Sequence, residues 1–262
     1  MNGADILIRT LLAGGVDVCF ANPGTSEMHF CAALDKNEGM RCILCLFEGV
    51  VTGAADGYGR MSDKPAGTLL HLGPGLGNGL SNLHNAKKAR TPVVNIVGEH
   101  ATYHIEFDAP LTADIEGIAR PVSDWVRTSR DTKSIASDTA EAIAAARSYP
   151  GAISTLILPA DTAWGEADDV AIVPTQKSPP TVSEAAVEEC AAALRSGEPT
   201  MLLLGSRALR APALEIVGRI AAHSNAAIRS ELSAARTQRG AGRVAAERIP
   251  YVVDQAVKAL DG

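Results

Sequence analysis

The chain has 262 residues, of which 46% are hydrophobic, 21% charged and 4% aromatic, and its formal net charge is −6. That length carries one large or two modest domains, each able to bury a core. The acidic balance argues against a nucleic-acid partner, and the amphipathic, charge-interrupted start "MNGADILIRTLLAGGVDVCF" shows neither a leader nor a membrane span, so a cytoplasmic location with no membrane partner is the expectation.

Apolar runs alternate with helical patterns. Residues 3–14 read as a helix. "VDVCFANPG" reads as a strand running into a Pro-Gly turn, and "SEMHFCAALDK" as a helix with Ser26 as its N-cap. "CILCLF", 42–47, reads as a buried strand ending in the lone carboxylate Glu48, followed by a helix over 49–60 with Gly49, Gly53 and Gly57 on one face. "AGTLLHL" is a strand, "GLSNLHNAKKA" a helix and "PVVNIVG" a strand. A loop with His100 and His104 follows, then helices near 112–118 and 136–148 and the strand "AISTLILP". This rhythm predicts an α/β fold with a doubly wound parallel sheet covered on both faces. The first domain spans 1–171, and the Pro- and Ser-containing stretch 172–182 reads as a linker. A second, incomplete α/β domain, 183–262, has helices at 183–196, 210–223 and 250–260 and about two strands, "TMLLLG" and "AAIRSE".

Chemistry-bearing residues gather at strand ends. "LLHLGPGLGNGLSNLHNA", 69–86, runs from a strand through a glycine-rich turn into a helix, whose free N–H groups suit a ligand. Glu99 lies 20 residues beyond Gly79, as in a dinucleotide-binding fingerprint, but Asn78 and Leu80 stand where its last glycine belongs. His71, at a strand's carboxyl end, is either a core histidine or a site residue, since ligands of open α/β sheets bind at that edge. His100 and His104 have helical metal-pair spacing in a loop-like sequence, so a surface loop is expected. The five cysteines form no disulfide pattern. Cys42 and Cys45 spell C-x-x-C, but residues three apart on a strand face opposite sides. The junctions at Pro23-Gly24, Glu48 and His71-Gly75 fall along one edge of a parallel sheet, where a planar heterocycle would meet one carboxylic acid.

These segments resemble the thiamine diphosphate enzymes of the acetolactate synthase and benzoylformate decarboxylase group. "NPGTSE" is similar to their first active-site loop, "FEGVVTGAADGYGR" to their glutamate-bearing segment, and "HLGPGLGNGLSNLHNAKKARTPVVNIVG" to their glycine-rich loop, helix and next strand. The likeness runs over residues 1 to about 170 and more loosely beyond. It implies that Glu48 sits beside N1′ of the cofactor's aminopyrimidine. Phe47, Val50 and Val51 would disfavour the charged carboxylate there, and the proton shared with N1′ would promote the ring's imino form. It also implies that Pro23, Gly24, Gly73, Gly75 and Asn78 help hold the cofactor, the electron sink for loss of CO2 from a 2-oxo acid. His71 matches a proton-transferring histidine of the benzoylformate decarboxylase branch and Thr25 its substrate-binding serine. "GPGLGN" and "IARPVSDW" lie closer to the synthase branch, whose usual Gln is replaced by Leu111. Family members run to roughly twice this length and bind diphosphate and Mg²⁺ through a G-D-G…N-N motif. That motif is not found here, so the chain is expected to be a fragment, a split subunit or a truncated product. It would work as a homo-oligomer or with a partner chain carrying the diphosphate-binding domain. FAD in the central domain stays open. The alternatives are a non-catalytic or regulatory remnant of the fold and, less favoured, a nicotinamide-binding oxidoreductase.

Overall fold

The computed structural model describes residues 1–176 and 178–261. The chain divides into two compact units, Met1–Lys177 and Ser178–Gly262. The first is built on a six-stranded sheet of order β2-β1-β3-β4-β6-β5. Its strands are β1 Val18–Asn22, β2 Arg41–Leu44, β3 Ala66–Leu70, β4 Val93–Glu99, β5 Trp125–Thr128 and β6 Ile153–Pro159. Every pairing is parallel. Parallel neighbours need crossovers, and the helices supply them. On one face α1 (Gly3–Ala13), α2 (Met28–Lys36) and α6 (Ile135–Ala146) bury Leu7, Phe30 and Ile143 against Leu69, Ile96 and Leu156. On the other, α3 (Glu48–Ser62), α4 (Leu72–Ala89) and α5 (Ile115–Ala119) cover Leu70, Val97 and Ile157. A short helix, α7 (Ala160–Trp164), follows β6.

Local signals explain the boundaries. Asn2 caps α1 by accepting the Asp5 N–H at 2.9 Å, while Asp5 Oδ2 accepts the Asn2 N–H in return, a capping box. The helix α3 stops at Asp63 and α4 at Arg90, both left-handed, with φ of 56° and 57°.

Several expectations need correction. The strand predicted to run to Phe47 ends at Leu44. It is an edge strand and mostly exposed, and Leu46 is 90% exposed. Its apolar run therefore reflects an uncovered edge and not a buried centre. The glycine run 73–79 is not a turn but the first two turns of α4. Ser26 caps nothing: Thr25–Glu27 forms a 3-10 turn with Gly24 in the cap position. The half-buried edge strand β5 and the five-residue α7 were not foreseen, because neither has enough sequence for a periodic pattern. The glycines of α3 do not share one environment either. A Cβ on Gly53 would meet Asn82 of α4 at 3.0 Å, whereas one on Gly57 would meet nothing within 4 Å.

The second unit has a three-stranded parallel sheet, β7 (Met201–Leu204), β8 (Ala227–Ser230) and β9 (Glu247–Arg248), in that order. Its helices are α8 (Glu184–Arg195), α9 (Ala211–Ser224) and α10 (Val253–Asp261). Its core is small, centred on Leu204, Leu209, Leu214 and Val217. The strand β9 is two exposed residues long, too short to register as an apolar run. Among the described residues no helix is long and apolar enough to cross a membrane.

One polar chain crosses the first unit's core. Thr68 Oγ1 donates to Asn95 Oδ1 at 2.9 Å, Asn95 Nδ2 donates to Thr155 Oγ1 at 3.1 Å, and Thr155 Oγ1 lies 2.7 Å from Ser123 Oγ. All four residues are buried, so each relies on the others for its hydrogen bonds. Asn95→Ala strands the Thr68 hydroxyl, takes one of two partners from Thr155 and opens a small cavity. It is expected to lower the unfolding free energy by about 3 kcal/mol, read from urea denaturation with an unchanged m-value.

Candidate active site

The pairing of β1 with β3 sets Asn22 opposite Leu70. The turn after β1 therefore lies beside the residue that follows β3. Gly24 approaches His71 so closely that a Cβ there would fall 2.3 Å from the ring, which only glycine permits. Glu27 ties the two junctions together. Its Oε2 accepts the Gly24 N–H at 2.7 Å and lies 2.8 Å from His71 Nδ1. Glu27 is 2% exposed, and its other oxygen, Oε1, is buried without a partner. Burial pushes its carboxyl up from the ordinary value, against the Gly24 N–H and His71, which pull it down. Sequence reasoning passed over Glu27. The available signal was its position three residues after the cap residue Gly24, the capping-box spacing.

The strand-to-helix corner at His71 is strained. Leu72, fully buried, takes a φ of 53°, a left-handed conformation rare for leucine. This sharp reversal leaves His71 at the edge of the sheet, in the N-cap position of α4.

Glu48 is the first residue of α3 and 7% exposed. Its Oε2 accepts a hydrogen bond from Asn78 Nδ2 at 3.0 Å. Gly75 lies between the two groups of residues: a Cβ there would be 3.1 Å from Glu48 Oε1 and 3.4 Å from His71 Cβ. Glu48 does not have the apolar walls foreseen for it. Val51 is buried, but Phe47 and Val50 are exposed, because the edge strand before them leaves this end of α3 uncovered. Nor is Glu48 the only acid at this edge. Glu27 and Glu99 are buried there too. Burial raises the Glu99 carboxyl, the His100 N–H donated to its Oε1 lowers it, and the charge of Glu27 raises it further. His100 is held below the usual imidazole range by burial and by His104 and His71, and the His100 and His104 rings stand 5.7 Å apart.

Of the other candidate residues, Pro23 belongs to the turn beside His71 and Thr25 is exposed just after it. Gly73 lies apart from Glu48. Its missing side chain makes room for Ala113, whose Cβ would be 2.5 Å from a Cβ at Gly73. Cys42 is exposed and Cys45 buried, and both are free thiols.

A carboxyl group raised in the folded state binds its proton more tightly there than in the unfolded chain. Its contribution is present at low pH and is lost as pH rises through the folded value. Glu27→Gln is therefore expected to gain stability relative to the parent chain as pH climbs from the ordinary glutamate range to neutrality, as measured by denaturation at several pH values.

Parts of the chain are similar to known proteins. Residues 1–118 match the family model described as thiamine pyrophosphate enzyme, N-terminal TPP binding domain. A Mycobacterium tuberculosis protein provisionally named acetolactate synthase large subunit IlvX is 53% identical over 263 residues, covering 100% of this chain and 50% of its own length. Benzoylformate decarboxylase of Pseudomonas aeruginosa is 33% identical over 153 residues, 58% of this chain and 28% of that protein. The chain thus spans half or less of the length of these relatives. Among solved structures, an enzyme from Mycobacterium smegmatis, provisionally described as thiamin diphosphate-dependent, aligns with 100% of this chain and 50% of its own at a TM-score of 0.88 and 23% identity. The Rhodococcus jostii RHA1 thiamine diphosphate-dependent 4-hydroxybenzoylformate decarboxylase aligns at 0.79 and 22%, over 88% of this chain and 44% of its own. Both show the same α/β fold. Residues 1–118 thus match the N-terminal TPP-binding domain of thiamine pyrophosphate enzymes.

Proposed function

We propose that the chain supplies the pyrimidine half of a thiamine diphosphate site for decarboxylation or carboligation of a 2-oxo acid. The observation that carries this reading is the Glu48 carboxylate. It is buried at the start of α3, fixed through one oxygen by Asn78, and faces a Gly75 that carries no side chain. The residues suit the group. A flat ring needs the space a Cβ at Gly75 would fill, and a ring nitrogen needs a carboxyl oxygen without another partner, as Glu48 Oε1 is. When bound, the cofactor supplies the electron sink for carbon–carbon bond cleavage. The chain's own residues orient and move protons. Glu48, fixed at Oε2 by Asn78, would hold and release a proton at ring N1′. The Pro23-Gly24 turn would help hold the ring. His71, held at Nδ1 by Glu27, turns Nε2 to the substrate as an acid–base group, with Thr25 beside it. We assign diphosphate and Mg²⁺ to a diphosphate-binding domain outside residues 1–262.

Glu48→Gln keeps the shape and removes the proton. In the assembled enzyme it should slow exchange of the thiazolium C2 hydrogen by at least about 100-fold while leaving the circular dichroism spectrum intact. Near-normal exchange would overturn the assignment.

The uncovered face of α3 supports assembly. Val50, Gly57 and Met61 are exposed along one stripe of the helix, and Leu44, Leu46 and Phe47 are exposed on the segment leading into it. Gly57→Leu leaves the unit's own packing alone, since nothing lies within 4 Å of that position. It should shift the assembled protein towards monomer in sedimentation. A fully associated variant would show that this face is not the interface.

A further inference from the structure

Gly98 is a glycine without a backbone reason. It lies in β4, in the interior of the sheet, on a strand buried along its whole length. Glycine weakens such a strand: it loses more conformational entropy on folding and has no side chain to pack. Its φ is not in the left-handed region that favours glycine. The space its side chain would take is filled by Glu27. A Cβ on Gly98 would lie 1.5 Å from Glu27 Oε1, 2.4 Å from Cδ and 2.8 Å from Cγ. The carboxyl group thus rests directly on the bare Cα of the strand. From there Oε2 reaches the Gly24 N–H and His71 Nδ1, at 2.7 and 2.8 Å.

We propose that Gly98 is a positioning residue of the site, the floor that allows Glu27 to clamp His71 at Nδ1 and so leaves Nε2 as the nitrogen facing the substrate. The proposal deepens the reading of His71 as the acid–base group and rests on it. Two physical points separate this role from simple packing. The atoms that a Cβ would strike belong to the free end of a flexible side chain, so the sheet accepts alanine by letting Glu27 swing away. Alanine also costs less conformational entropy than glycine in a strand. The substitution should therefore spare the fold and release the histidine. The burial that raises the Glu27 carboxyl would go with it, leaving that group nearer the ordinary glutamate value. The titratable groups that face Glu27 are His71, at the start of α4, Glu99, on β4, and Cys31, on α2.

The test uses the chain itself, labelled with ¹⁵N at histidine and ¹³C at glutamate, at a pH where His71 is neutral. In the parent chain, long-range ¹H–¹⁵N spectra should show His71 as a single Nδ1–H tautomer, and Glu27 Cδ should titrate above the ordinary range. In Gly98→Ala, His71 should become a tautomer mixture and the Glu27 midpoint should fall, with the melting temperature unchanged or higher. Gly77→Ala, where a Cβ would meet nothing within 4 Å, should change neither signal. A folded Gly98→Ala chain that keeps the Nδ1–H tautomer and the raised Glu27 midpoint would overturn the proposal. If Gly98→Ala does not fold, the parent spectra decide. Cross-relaxation between Gly98 Hα and Glu27 Hγ together with the Nδ1–H tautomer supports the clamp, and the lack of either overturns it. Turnover enters nowhere, so an enzyme inactive on 2-oxo acids would leave the clamp standing. Loss of the clamp would likewise leave the role of Glu48 untouched.

Discussion

The register of β1 against β3 is the constraint on which the site depends. Asn22 pairs with Leu70, so the chain leaves both strands at the same height and the two corners meet. A shift of one residue would turn every side chain of one strand to the opposite face. It would also carry Gly24 away from His71. Burial protects the register: Phe20 and Leu70 belong to one core, Cys19 and Leu69 to the other. The geometry of this corner is in this sense a by-product of two well-filled cores.

Around that corner the structure accepts local costs. Four glycines lie in the first two turns of α4, each giving up roughly 1 kcal/mol relative to alanine. Three of them admit a neighbour that a side chain would displace: Gly73 admits Ala113, Gly75 the Glu48 carboxylate, and Gly79 Thr52, whose Oγ1 donates to the Gly79 carbonyl at 3.0 Å. Leu72 adds backbone strain, and Glu27 adds a buried oxygen with no partner. Such costs concentrate where chemistry needs a fixed geometry.

The alternation of apolar strands and helices in the sequence was enough to read the parallel sheet, because strands buried on both faces leave long apolar runs such as "PVVNIVG" and "AISTLILP". Its edges were misread for the same reason. β2 is apolar yet uncovered, and β5 is too short to stand out, as is β9 at the edge of the second unit's sheet. The Pro23-Gly24 turn, Glu48 and His71 could be picked out by residue type at strand ends. Glu27 could not, because its role comes from a fold-dependent contact with a residue 44 positions away. The glycine run was read as a turn because composition alone does not distinguish a turn from a helix made thin for close packing.

The topology also has a consequence for how the protein comes into being. No two strands of the first sheet form a hairpin, and the pairing of β4 with β6 joins Val93 to Ile153. Such a sheet offers few local contacts to begin from, and loop closure must precede any gain from pairing. On a ribosome the flank of β4 that takes β6 stays open until residue 159 has emerged. Throughout that interval β4 presents an apolar flank without its neighbour β6, a template for pairing with other nascent chains. The arrangement that brings the loops together on one rim also leaves the half-made chain with an open strand flank for longer than a sheet of hairpins would.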